Sequence, residues 1–77
     1  MSGQGGGVQK GRVRNLIRDL RTQAGLTQQM FAEMVGATRQ TIVAIEAEKY
    51  APSLELAFRM ARALNQPFET VFRFDPE

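Results

Sequence analysis

Thr27-Gln28-Gln29-Met30-Phe31-Ala32-Glu33-Met34-Val35-Gly36-Ala37-Thr38-Arg39-Gln40-Thr41-Ile42-Val43-Ala44-Ile45-Glu46 is the stretch on which the fold turns. Its apolar residues recur at three- and four-residue steps, the period of a one-sided helix, but the pattern breaks at Gly36. Thr27 and Thr38 stand where N-cap residues accept a backbone N–H, so two short helices are expected. Met30, Phe31, Met34 and Val35 lie on the first, and Ile42, Ile45 and the stem of Glu46 on the inner face of the second. Ala32 is small where the helices would touch, and Gly36 tolerates the positive φ of a tight turn. Val35, Ile42 and Ile45 would then hold the pair together. Such an arrangement specifies helix-turn-helix geometry.

The flanks extend the helical text in both directions. Upstream, Val13, Leu16, Ile17, Leu20 and Ala24 form a helical stripe, with Asn15 as N-cap and Gly25 just past the end. Helix 1 is expected over roughly residues 16–24. Downstream, Ser53 caps a helix striped by Leu54, Ala57, Phe58, Ala61 and Leu64, with Glu55 in its favourable first turn and Asn65 beyond its end. Pro67 opens a short turn through Phe68 and Val71. From Val71 to Asp75 the text alternates with the strand period, and Lys10–Arg14 alternates weakly enough to supply a partner. The fold class is therefore mainly α: five helices with a small two-stranded antiparallel sheet from the chain ends. Residues 10–77 are expected to form the one domain. Met1–Gln9, rich in glycine and nearly devoid of apolar residues, is expected to be disordered.

Composition removes several functional classes. The 77 residues contain neither Cys nor His, so disulfides, thiolate metal sites and zinc fingers are excluded. Asp19, Glu33 and Glu46 are isolated carboxylates in helical text, and Gly5-Gly6-Gly7 precedes no strand–helix unit. No catalytic residue, metal ligand, cofactor or small-molecule ligand is expected. A chain this short buries only about 60% of its unfolded surface, which makes oligomerisation a natural support. No run of about 18 apolar residues and no signal-peptide pattern is present, so the cytoplasm is the expected location and no membrane the expected partner.

Net charge is only +2, but residues 1–39 carry +4 and residues 40–77 carry −2. The basic half suits a polyanion equally as well as it suits a solvated helix face. The outer face of the second motif helix is more informative. Arg39 can donate two bonds to guanine O6 and N7, and Gln40 can pair with adenine N6 and N7. Val43 and Ala44 follow one turn later; they suit thymine methyls, or are simply exposed apolar residues. Thr27 and Gln28 open a helix whose free N–H groups attract an anion such as phosphate, with Thr41 and Lys49 placed for phosphate on the other side.

From Leu16 to Asp75 the chain resembles the Xre/Cro/C1-type helix-turn-helix family. The resemblance runs through Leu26-Thr27-Gln28, Val35-Gly36, Thr38-Arg39-Gln40-Thr41-Ile42, Ile45-Glu46, Lys49-Tyr50 and Pro52-Ser53-Leu54-Glu55-Leu56-Ala57. With the ending Phe68-Glu69-Thr70-Val71-Phe72 it is most similar to the small dimeric members typified by the cytolysin repressor. It implies a five-helix lambda-repressor-like domain that binds double-stranded DNA at an inverted repeat as a homodimer, as a transcriptional regulator and most naturally a repressor. It also implies base contacts from Arg39, Gln40, Val43 and Ala44, and phosphate contacts from Thr27, Gln28, Thr41, Lys49 and Tyr50. Arg21 and Glu46 fall where relatives place a buried ion pair, and Phe68, Phe72 and Phe74 where the dimer would form. The same fold also serves as an antitoxin or protein-binding module in some relatives. One departure stands out: after the glutamate, where relatives carry Asn-Gly, this chain has Ala47-Glu48. That implies a longer third helix or a differently closed loop, with a negative charge near the phosphate path.

Overall fold

The computed structural model describes residues 11–76. The Met1–Gln9 segment expected to be disordered, and Lys10 of the expected strand, lie outside them. The order is β1 (Gly11–Asn15), α1 (Ile17–Gln23), α2 (Gln28–Val35), α3 (Arg39–Glu46), α4 (Leu54–Ala63), α5 (Phe68–Val71) and β2 (Phe72–Pro76). β1 and β2 pair antiparallel, from Gly11 opposite Pro76 to Asn15 opposite Phe72. Five helices and a terminal sheet are thus the architecture.

Each helix start has a local cause. Thr27, Thr38 and Ser53 take extended backbone and accept the N–H groups of Met30, Thr41 and Leu56 with their side chains. The ends are equally specified. Gly36, at φ +74, turns α2 off while Ala37 donates back to the Ala32 carbonyl at 2.9 Å. Asn65, at φ +55, ends α4 with Gln66 donating to Ala61 at 3.1 Å.

The core sits between α2, α3 and α4. Phe31, Ala32, Val35, Ile42, Ile45 and Met60 are sealed from solvent, together with Ile17 and Val71. Full burial of the Val, Ile, Phe and Met side chains among these stabilises by about 1.5–3 kcal/mol each. Ala32, Val35, Ile42 and Ile45 occupy the inner positions expected from the motif.

Several expectations need correction. Helix 1 begins at Ile17 with Leu16 as its cap residue, because Asn15 is spent as the last residue of β1. The Asn15 Oδ1 still accepts the Ile17 N–H at 3.1 Å, so the side chain caps from one position further back. Val13, Leu16 and Ala24 are exposed, and the seven-residue helix buries only Ile17 and Arg21. Met30 and Met34 also face solvent. On α4 the buried stripe runs through Ala57, Met60, Ala61 and Leu64, leaving Leu54 and Phe58 outside. Val71 ends α5 instead of opening the strand. Phe72, expected at a dimer surface, is only 6% exposed. It enters β2 pointing into the body, where its ring meets Phe68 at 5.2 Å.

Gly36 has room for a side chain, since an added Cβ would meet only the end of Arg59 at 3.3 Å. The requirement is conformational. Gly36→Ala should therefore cost roughly 1–2 kcal/mol. Thermal unfolding should show a midpoint lower by roughly 4–8 °C per kcal/mol, with little change in helical content.

Candidate nucleic-acid interface

α3 is an amphipathic helix with its two faces assigned by packing. Ile42 and Ile45 are fully buried, so Arg39, Gln40 and Val43 are turned outward. Val43 remains 42% exposed. Ala44 is half-buried, and its carbonyl accepts the Lys49 N–H at 3.0 Å. Thr41 is half-buried too, its hydroxyl 2.9 Å from that of Thr38. The four expected base-facing residues share one surface, with Arg39 and Gln40 leading.

At the start of α2, Thr27 is exposed and its hydroxyl oxygen takes the Met30 N–H at 3.0 Å. The first N–H groups of the helix have no intrahelical acceptor and lie at its positive end. Gln28 is half-buried and donates through Nε2 to Glu46 Oε1 at 3.2 Å. Its amide is thereby held by the ion pair beneath it. Lys49 and Tyr50 are exposed beyond the end of α3.

Beneath this surface lies a buried ion pair. Arg21 Nε and Nη2 donate to the two Glu46 oxygens at 2.7 and 3.1 Å, and Nη1 donates to the Leu26 carbonyl at 2.9 Å. The side chains are 10% and 1% exposed. Arg18, 3.7 Å from Glu46, adds a second positive charge from the surface. Burial alone would raise the Glu46 carboxyl, but Arg21, Gln28 and Arg18 together hold it below the usual value. The bond to Glu46 raises Arg21 in turn. One guanidinium thus joins α1, the α1–α2 loop and α3, and one carboxylate adds α2 through Gln28.

The departure at Ala47-Glu48 resolves into a left-handed turn directly after α3. α3 stops at Glu46, and Glu48 adopts φ +61, donating its N–H to Ile45 at 2.9 Å. α3 is therefore not lengthened, and the loop closes through Glu48. The Glu48 carboxylate is engaged by β1, with its charge faced by two arginines. Its Oε1 lies 2.8 Å from Arg14 Nε and 3.9 Å from Arg12, and its Oε2 accepts the Asn15 N–H at 3.3 Å. The Arg14 contact is ionic and off the hydrogen-bonding line, since Nε makes no aligned bond. Burial opposes the charge on Glu48, but Arg14, the Asn15 N–H and Arg12 outweigh it and lower its pKa. This cluster escapes sequence reading. Its one signal was Arg12 and Arg14 at strand spacing, which puts both on one face.

The terminal sheet and α4 enclose a groove of about 420 Å³ whose walls include Val13, Pro52, Leu54, Phe68 and Phe74. Phe74 is 52% exposed, and Phe68 bridges exposed Phe58 (4.9 Å between ring centres) to buried Phe72. Among the described residues no group of acidic or imidazole side chains is placed to hold a metal, and no helix is long and apolar enough to cross a membrane.

Comparison with known proteins agrees with this geometry. The family model described as Helix-turn-helix matches residues 17–71, and the chain belongs to that family. It is 52% identical over 66 residues to an HTH-type transcriptional regulator of Methanothermobacter thermautotrophicus, covering 84% of this chain and 96% of the relative. It is 40% identical over 65 residues to the regulator YgzD of Bacillus subtilis, covering 84% and 98%. Among solved structures it is similar to the restriction-modification controller protein C.AhdI from Aeromonas hydrophila, with TM-score 0.67 and 30% identity over 70% of this chain and 82% of that one. The fold alone is shared with the transcriptional regulator VanUg, at TM-score 0.73 and 21% identity over 91% and 93%. This is a DNA-binding, non-enzymatic regulator family of the Xre/Cro/C1 type.

The ion pair makes a pH-dependent prediction. A carboxyl whose pKa is depressed by folding contributes fully above the ordinary 4.5 and loses its contribution as pH falls through the folded value. Arg21→Met strands the Glu46 charge, and should cost about 3–5 kcal/mol at neutral pH. Denaturant melts of both proteins across pH should show this gap closing below pH 4.5. A gap independent of pH would mean that packing of the arginine stem, not its charge, is what matters.

Proposed function

We propose that this chain is a homodimeric transcriptional repressor that acts in the cytoplasm and binds an inverted repeat in a promoter. The observation that carries the reading is the division of α3: Ile42 and Ile45 sealed on one side, Arg39, Gln40 and Val43 free on the other. In this reading α3 enters the major groove with Arg39 and Gln40 on base edges, and Val43 and Ala44 against thymine methyls. Thr27, Gln28, Thr41, Lys49 and Tyr50 hold the flanking phosphates. Gln28 does so with its amide pre-oriented by Glu46, which spares part of the ordering entropy on binding. Residues 10–77 serve as the DNA-binding domain, with the dimer built on the C-terminal strand.

The apolar groove supports the second half of the proposal. Phe74 and Phe68, with Val13 and Leu54, offer surface that a twin copy covers symmetrically. Phe72 acts from below by supporting the Phe68 ring. A dimer of this kind sets two copies of α3 about 34 Å apart, in successive major grooves on one side of the duplex.

Two substitutions separate reading from holding. Arg39→Ala should lose about 1–3 kcal/mol and relax preference at one base pair. Lys49→Ala should weaken all sequences alike and flatten the salt dependence by roughly one unit. Selection of bound sites from random DNA, followed by salt titration of each variant, measures both. An equal loss on every sequence for Arg39→Ala would move that residue to the phosphates. Failure of the native chain to select any sequence at low salt would end the regulator reading altogether.

The interface is tested separately. Phe74→Asp should sediment as a monomer and bind the full repeat at least tenfold more weakly, with its helical content retained. A dimer surviving this change places the contact elsewhere.

A further inference from the structure

We propose that Asn15 and Glu48 are positioning residues for DNA recognition: they fasten the terminal sheet to the C-terminal end of α3, and so set the geometry in which two recognition helices meet the duplex. The inference rests on the dimeric reading above and deepens it.

Asn15 is the junction. Its backbone pairs with Phe72 as the last step of the sheet. Its Nδ2 donates to the Ile45 carbonyl at 2.9 Å, its Oδ1 accepts the first N–H of α1 from Ile17, and its own N–H donates to Glu48 Oε2. Glu48 completes the joint from the other side. The left-handed turn at Glu48 follows directly on α3, and its carboxylate reaches Arg14 and Arg12 on β1. The Ile45 carbonyl therefore accepts from both partners, Glu48 N–H and Asn15 Nδ2. The joint thus ties β1 to the C-terminal end of α3 and to the turn that follows it, and takes in the first N–H of α1.

The same strand pair carries the groove aromatics. Phe74 lies opposite Val13 in β2, two residues along the strand from Phe72. A path of strand backbone and hydrogen bonds thus runs from the proposed dimer surface to α3. Its stiffness matters because base recognition tolerates little error. α3 is roughly 12 Å long, so a tilt of about 10° at its C-terminal end shifts Arg39 by roughly 2 Å. A shift of that size is several times the spread of about 0.5 Å over which a good hydrogen-bond distance varies.

Glu48→Gly tests the idea without damaging the turn, since glycine takes φ +61 at no steric cost. Glu48→Gln serves as the control, because it removes the same charge yet keeps an acceptor for the Asn15 N–H. Each protein is titrated against inverted repeats whose half-site spacing is native or altered by one base pair, and against a single half-site. The native chain should prefer one spacing by at least tenfold. Glu48→Gly should reduce that preference below threefold, with the dimer intact by sedimentation and half-site affinity within twofold of Glu48→Gln. Asn15→Ala should loosen the spacing in the same way, and Glu48→Gln should recover most of the preference. A Glu48→Gly dimer that keeps the native spacing preference overturns the proposal, as does one that loses single-site affinity along with helical signal. A native chain with no spacing preference, or with no dimer, instead overturns the dimeric reading on which it stands.

Discussion

The charge pair between Arg21 and Glu46 is the constraint on which the helical assembly depends. Two ionised groups lie nearly out of solvent, and each is tolerated only because the other, with the Leu26 carbonyl and Gln28, occupies its bonding sites. A hydrophobic pair would fill the same space with less demand on geometry, since burying ions is itself costly. What the ionic pair adds is direction. A guanidinium fork meets a carboxylate in few orientations, so α1 and the last residue of α3 are related by angle as well as by contact. Gln28 extends the same constraint to the helix that precedes the turn. The apolar side chains Val35, Ile42 and Ile45 fill the remaining space, and they would accept small rotations that the ion pair does not.

Much of this was readable from residue order because the helices are short and locally specified. Thr27, Thr38 and Ser53 signal their helices by side-chain chemistry that needs no tertiary context, and Gly36 and Asn65 signal the stops. The pairing of the chain ends was also readable, from two short alternating runs. The misjudged helix faces share one cause. Periodicity says that a helix has a face, not which of its borderline residues the neighbours will cover. Leu54 and Phe58 repeat with Ala57 and Ala61, yet α4 is rotated so that Met60 goes inside and they go out. Leu16 is excluded by the strand that ends beside it.

At the candidate interface, the ordering α3-outer-face residues could be anticipated because the inner ones are strongly apolar. The junction of Asn15 with Glu48 could not. Its members are separated by 33 positions and none is unusual by type. Glutamate in a left-handed turn goes against residue preference, and only the two arginines and the Asn15 N–H around its carboxylate explain its presence there. Phe72 shows the reverse. Aromatic residues at alternate positions of an edge strand suggest a shared outer surface, but Phe72 stands where the strand leaves α5 and is captured by the core.

The pairing of β1 with β2 also bears on the order in which the molecule assembles. Arg14 and Asp75, joined across the sheet at 3.2 Å, are 61 positions apart, whereas α2 and α3 are neighbours in the chain. Closing so long a loop costs more entropy than docking adjacent helices, and non-local strand contacts form later than local helical ones. On these grounds the helical body is expected to come together first, with the sheet as the closing step. Phe74, which sits on Gly11 so closely that a Cβ there would overlap its ring, acquires its seat only at that moment. The exposed aromatic surface at Phe74 is in this way a property of the completed sheet.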